Sequence, residues 1–403
     1  MKRRDFLSAM AVGAMGGLIP APARAQASRR LVVFFLRGGL DGLSALVPLE
    51  ERWYWQARPS IAIPPPGEPG GALPLAKGFG LHPALEPLRR LWDEKLLAVI
   101  PACGLPSPVR THPEAQRDME SGLPGDRHAA EGWMSRLLPL LEKNAKGLTL
   151  AVRPPLIGQG KPGLRNVQPT GYPPSIWRLE RPAAFAAFDA AYKGMDALGR
   201  MYRQSQITLR NKLVELDREI SVSAGGAPSV HALPQLAGQV ADYLSKAPDA
   251  RLVFAALGGF DAHFQQGAGS GRLAEAFLSL GKGMEAMAKA LGPDLERTAV
   301  LFLSEFGRSL RENEFSGTDN GYATLCMVLG GGVAGGALHG PWPGLAPDKL
   351  ADGLDLAVTV DFREPLAEIA QRHLGLDRAA LAQILPGYMP TGAIRSLFNA
   401  PPS

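Results

Sequence analysis

Cysteine is nearly absent from this chain: two, Cys103 and Cys326, occur in 403 residues. So few thiols exclude iron–sulfur clusters, c-type haem attachment and the paired-Cys motifs of zinc ribbons. Both lie at or near the end of an apolar run, which leaves either one disulfide or two buried free thiols open. Long apolar runs are lacking as well, since the stretch at 9–19 is too short and too Gly-rich for a permanent membrane anchor. Nor does one charge sign dominate: 43 Lys and Arg face 38 Asp and Glu, a formal net charge of +5, which gives no electrostatic case for nucleic acid. A dinucleotide fingerprint and a P-loop are also missing. Residues 329–336, Leu-Gly-Gly-Gly-Val-Ala-Gly-Gly, have neither the Lys nor the spacing and read as a turn after a strand.

What is present begins with an address. Arg3-Arg4-Asp5-Phe6-Leu7, the modest apolar stretch and then Ala23-Arg24-Ala25 have the layout of a twin-arginine export signal, with cleavage expected before Gln26. Residues 1–25 would then be read by the twin-arginine translocation machinery, and 26–403 would form a single domain in the periplasm or outside the cell. Losing Lys2, Arg3, Arg4 and Arg24 together with Asp5 lowers the formal charge to +2. Gly (47) and Pro (36) are abundant without reaching the range of disordered chains, which predicts long ordered loops.

Apolar runs closed by polar residues and Gly predict strands at 31–36, 96–101, 148–152, 251–256, 298–303 and 324–329. Helical patterns fall between them at 83–93, 113–121, 131–142, 184–222, 230–246, 270–291 and 362–374. This alternation predicts an α/β fold, a mainly parallel central sheet with helices on both faces. Residues 154–183, rich in Pro and Gly, read as a long surface loop, and 184–246 as a helical insertion or lid.

Open α/β folds place ligands at the carboxyl ends of their strands. Four such ends carry polar clusters. After the first strand comes Arg37-Gly38-Gly39-Leu40-Asp41, where Asp41 is either a metal ligand or a helix cap. Arg110-Thr111-His112-Pro113 leads into a helix; Thr111 is a hydroxyl nucleophile or a cap, with His112 placed to assist as a base. Gly259-Phe260-Asp261-Ala262-His263 sets a carboxylate and an imidazole two residues apart, a weak metal signal or a turn. Chemistry is also expected near Glu305, Arg308 and Asp319, after the 298–303 strand. There Asp319-Asn320 offers two hard oxygens suited to calcium or magnesium. His339, beside Gly340-Pro341, reads as a packed or exposed loop residue, His82 as local structure, and His128, His231 and His373 have no acidic company.

Taken together, these motifs resemble the exported bacterial family known as domain of unknown function 1501, a distant relative of the alkaline phosphatase and sulfatase superfamily. The resemblance is carried by Phe35-Leu36-Arg37-Gly38-Gly39 with Asp41-Gly42, Ala57-Arg58-Pro59, Leu81-His82-Pro83, Arg110-Thr111-His112, Gly132-Trp133, Phe260-Asp261-Ala262-His263, Ser304-Glu305-Phe306-Gly307-Arg308, Gly317-Thr318-Asp319 and Gly340-Pro341-Trp342-Pro343. It implies an alkaline-phosphatase-like fold that uses divalent metal (calcium, magnesium, manganese or zinc) to activate a hydroxyl against phosphate or sulfate esters. Carried over by position, Asp41, Asp319 and Asn320 would hold one metal and Asp261 and His263 a second. Thr111 would be the nucleophile, and Arg308 and Arg110 would hold the anionic group. The family usually has Asp-His-Gly where this chain has Asp319-Asn320-Gly321, and Ser where it has Thr111. Cys103 and the Pro and Arg after it do not meet the sulfatase maturation motif. Two functions therefore stand side by side: a metal-dependent hydrolase or transferase, and a non-catalytic binding or assembly protein, partnering an exported protein encoded alongside it.

Overall fold

The computed structural model describes residues 29–169, 189–193, 196–394 and 396–399. The expected export signal, and parts of the 154–183 loop and of the 184–246 insertion, lie outside them. The fold is built around the strand Arg30–Leu36, every residue of which is buried. Only a strand covered on both faces tolerates so continuous an apolar run. Its alternating side chains divide the interior in two. Leu31, Val33 and Phe35 enter one core with helices His112–Ser121, Trp133–Leu137, Arg363–Glu368 and Arg378–Ile384. Val32, Phe34 and Leu36 enter the other with helices Pro87–Asp93, Leu233–Lys246 and Arg272–Leu291.

Among the described residues the main sheet has nine strands. Arg30–Leu36 lies between Thr298–Leu303 and Ala250–Leu257, parallel to both, and Lys146–Leu150 and Arg165–Val167 extend the parallel series beyond. On the other side Thr324–Leu329 runs antiparallel to both Thr298–Leu303 and Leu97–Gly104. Two short strands, Ala337–Leu338 and Val360–Asp361, pair in parallel with Leu97–Gly104. Every strand read from the sequence is present. Short strands in loops were not read, including Leu46–Pro48, Leu73–Ala76 and Phe79–Leu81, which form a separate small sheet.

The 251–256 and 298–303 strands flank the first strand, and their ends are level, since Leu36 pairs with Leu257 and Phe35 with Leu303. One expectation changes. Helix Leu233–Lys246 covers the sheet rather than inserting above it, with Leu233, Leu236, Val240 and Leu244 in the second core. Of the long helix Ala197–Ala224, none of the described side chains belongs to either core. Cys103 and Cys326 are buried free thiols on the paired strands Leu97–Gly104 and Thr324–Leu329. The neighbouring Cys326 thiol and burial hold Cys103 well above the ordinary thiol range.

Candidate metal centre

Three loops leave the central strands at one level, and glycine lets them close on each other. Gly38 has φ +111°, and a Cβ there would stand 2.5 Å from the backbone nitrogen of Asp261. Gly39, at φ +75°, faces the Phe306 ring in the same way, with a Cβ at 2.8 Å. Neither conformation nor contact admits a side chain. His112 arrives from a fourth direction as the first residue of helix His112–Ser121, its ring 4.8 Å from that of Phe306.

The loops bring His112, Asp261 and His263 together, with one potential ligand atom from each within 4.8 Å of the others. His112 Nε2 lies 3.6 Å from Asp261 Oδ2, and His263 Nε2 lies 3.3 Å from Asp261 Oδ1. Each imidazole carries a carboxylate on its far side. His112 Nδ1 meets Glu305 Oε1 at 2.9 Å, and His263 Nδ1 meets Asp319 Oδ1 at 3.2 Å. Burial alone would raise the Glu305 carboxyl, but hydrogen bonds from His112, Gln116 and the Gly38 amide outweigh it and hold it below the usual range. The hydrogen bond from His263 is the main cause that brings Asp319 down to about 2, with Asn313 adding to it. Both acids are therefore ionised acceptors, so each Nδ1 donates outward and Nε2 is the ring nitrogen that each histidine turns toward Asp261.

Buried polar groups normally find partners. Here His112 Nε2 and Asp261 Oδ2 are buried without a hydrogen-bond partner among the described residues. Two imidazole nitrogens and a carboxylate within 4.8 Å of one another can close on one ion at about 2 Å from each with small side-chain shifts. The donor set suits zinc or another first-row ion better than calcium.

The structure gives several of the expected ligands protein partners. Asp41 is fully buried and paired in bidentate fashion with Arg58, at 2.7 and 3.0 Å. It accepts further hydrogen bonds from Ser44 Oγ and Gln266 Nε2. Burial would raise its carboxyl, but Arg58 holds it low. Asn320 has no free oxygen either: its Oδ1 accepts from Arg308 Nη1 at 2.7 Å and its Nδ2 donates to the Arg110 carbonyl. Asp319 and Asn320 belong to the short strand Thr318–Asn320, paired with Arg308–Glu312, and only Asp319 reaches the cluster, through His263.

Arg308 is buried and not free to hold an anion. Its guanidinium donates to Asp261 Oδ1, the Gly38 carbonyl, Asn320 and Thr318. Arg110 is tied to Asp355 at 2.6 Å and to the Asn320 carbonyl, with its charge over the Tyr322 ring. Thr111 is exposed, occupies the cap position without a cap hydrogen bond, and donates from Oγ1 to Glu114 Oε2 at 3.2 Å. His339 Nε2 is directed to the Ala334 carbonyl. Sequence reading placed Asp261 and His263 at a strand end but took His112 for a base, and it passed over Gln116. A helical spacing of four from His112 was the available signal for Gln116.

No curated protein matches the chain. Among solved structures, an alkaline phosphatase superfamily protein from Vibrio parahaemolyticus is 10% identical, with a TM-score of 0.36 over 75% of this chain and 60% of that one. The C-terminal periplasmic domain of EcEptC from Escherichia coli, in complex with Zn, is 8% identical, with a TM-score of 0.38 over 75% and 73%. A 2-O GAG sulfatase is 9% identical, with a TM-score of 0.40 over 91% and 76%. Likeness at these scores says nothing of chemistry. The sequence itself is decisive on kinship: the chain belongs to the family described as protein of unknown function (DUF1501), which matches residues 103–385 and so takes in His112, Asp261, His263, Glu305 and Asp319.

Proposed function

We propose that this protein is an exported hydrolase or transferase of phosphate or sulfate esters that depends on one divalent transition ion held by His112, Asp261 and His263. The observation that carries the reading is the buried, unpartnered pair His112 Nε2 and Asp261 Oδ2 beside His263 Nε2. Such an ion supplies Lewis acidity toward an ester oxygen or a bound water. The chain's own groups prepare the site for it. Glu305 and Asp319 fix the proton of each imidazole on Nδ1, and Arg308 anchors Asp261. Thr111, the residue before His112, donates its hydroxyl to Glu114, which is placed to take its proton. The ester class follows from the family resemblance, and export from Arg3-Arg4 and the segment after them.

A specific observation favours the second reading, a binding or assembly protein. Arg308 and Asn320, expected to serve substrate and metal, are committed to each other. Plasma mass spectrometry on folded protein, wild type against His263→Ala, separates the readings. One equivalent in wild type, lost in the variant, with ester turnover that Thr111→Ala abolishes, is the expected result. A site that stays empty after challenge with zinc and manganese overturns the metal reading. Bound metal with no turnover on a broad ester panel leaves the assembly role.

A further inference from the structure

Gln116 lies one helical turn beyond His112, on the same buried face of helix His112–Ser121. Its Nε2 donates twice, to Glu305 Oε1 at 3.0 Å and to the Ser223 carbonyl at 2.7 Å. Ser223 stands in the last turn of helix Ala197–Ala224. Arg37 reaches the same helix end, donating to Ala224 O at 3.2 Å while paired with Glu120. Glu305 Oε1 thus collects three donors: His112 Nδ1, Gln116 Nε2 and the Gly38 amide at 2.9 Å.

We infer that Gln116 is a positioning residue of the metal centre: its amide locks Glu305 Oε1 onto the Nδ1 proton of His112 and fixes that arrangement to the end of the long helix. A buried carboxylate oxygen with three donors cannot turn away without leaving one of them unpaired. With Gln116 removed, Glu305 is held from one fewer direction and can swing toward Ser304 Oγ, already 3.2 Å from Oε2. The His112 proton then has no fixed seat, and Nε2 is not reserved for a ligand. Outer partners of ligating histidines are worth about 10- to 100-fold in metal affinity.

The affinity part of this inference rests on the metal reading above; the tautomer part does not. The experiment uses the folded chain, with ¹⁵N-histidine NMR on metal-free protein and zinc affinity from chelator competition. Wild type is expected to show His112 as the Nδ1–H tautomer. Gln116→Ala and the volume-keeping Gln116→Met are expected to show a mixture of tautomers and about 10-fold or more weaker zinc binding. Arg37→Met frees the same helix end without touching Glu305 and is expected to keep both properties. Folded Gln116 variants with the wild-type tautomer overturn the inference. So does an equal loss in Arg37→Met, which would assign the effect to helix docking. If wild-type protein binds no zinc, the metal reading falls alone and the tautomer comparison still decides the role of Gln116.

Discussion

A carboxylate oxygen has two lone pairs, and how many are already taken separates Asp41 from Asp261. Both are buried acids in loops after central strands, and both touch an arginine. Asp41 faces Arg58, Ser44 and Gln266 with both oxygens engaged, whereas Asp261 keeps Oδ2 unpartnered. Removing one member of a buried ion pair strands the other charge, at a cost of about 3–5 kcal/mol. Asp41→Ala is therefore expected to lower urea-unfolding stability by that order while the folded variant binds zinc as wild type does. Asp261→Asn should do the reverse, abolishing zinc binding with a smaller stability change, because a neutral amide still accepts from Arg308. Zinc loss in Asp41→Ala would return that residue to the ligand set. Of this difference only the helix-cap reading of Asp41 was legible in the sequence, and Asp41 Oδ1 does accept from the Ser44 amide. The partner of Asp41 stands at 58 and those of Asn320 at 110 and 308, separations over which no local pattern acts.

At the scale of elements, two buried histidines outside the proposed ligand set fasten turns and give the fold a pH dependence. His82 caps the short helix Pro83–Leu85, its Nδ1 accepting from the Ala84 amide and its Nε2 facing the Ala268 carbonyl. A second proton would have to enter Nδ1, where an N–H already points. His373 Nε2 likewise faces the Arg30 carbonyl, linking the C-terminal helical region to the first strand. Burial brings both imidazoles down to about 4 from the ordinary 6.5. The sign follows from proton counting: between these values the unfolded chain binds protons that the folded chain refuses. The histidine contribution is complete above about pH 6.5, declines as pH falls toward 4, and stays lost below. Each group accounts for on the order of 3 kcal/mol across that window. Urea unfolding from pH 7 to 4 should show the decline, and His82→Asn, which keeps a capping acceptor and cannot titrate, should flatten its share. An unchanged slope in that variant would remove His82 from the account. Here the sequence was half informative: Leu81-His82-Pro83 marks a turn, but burial, which makes the imidazole titrate low, depends on residue 268.

For the whole molecule, the fold was legible and the centre only partly, for one physical reason. Strands buried on both faces must be continuous apolar runs, so 31–36, 251–256 and 298–303 declare themselves locally, while strand order and loop pairing are long-range. The same separation bears on export. Residues 38, 112, 116, 261, 263, 305 and 319 span most of the chain, so the centre does not exist until the sheet has closed around its first strand. Secretion of an unfolded chain would postpone assembly and metal capture until after transport, where the ion supply is not the cell's own. The twin-arginine route proposed from Arg3-Arg4 carries folded cargo and would let the proposed ion be chosen in the cytoplasm. Replacing Arg3 and Arg4 together by Lys is expected to retain the full-length protein in the cytoplasmic fraction, folded and with the same metal per chain as exported wild type. Retained protein that is folded but metal-free would show that the ion is acquired outside. Normal export of the double-Lys variant would remove the twin-arginine reading altogether.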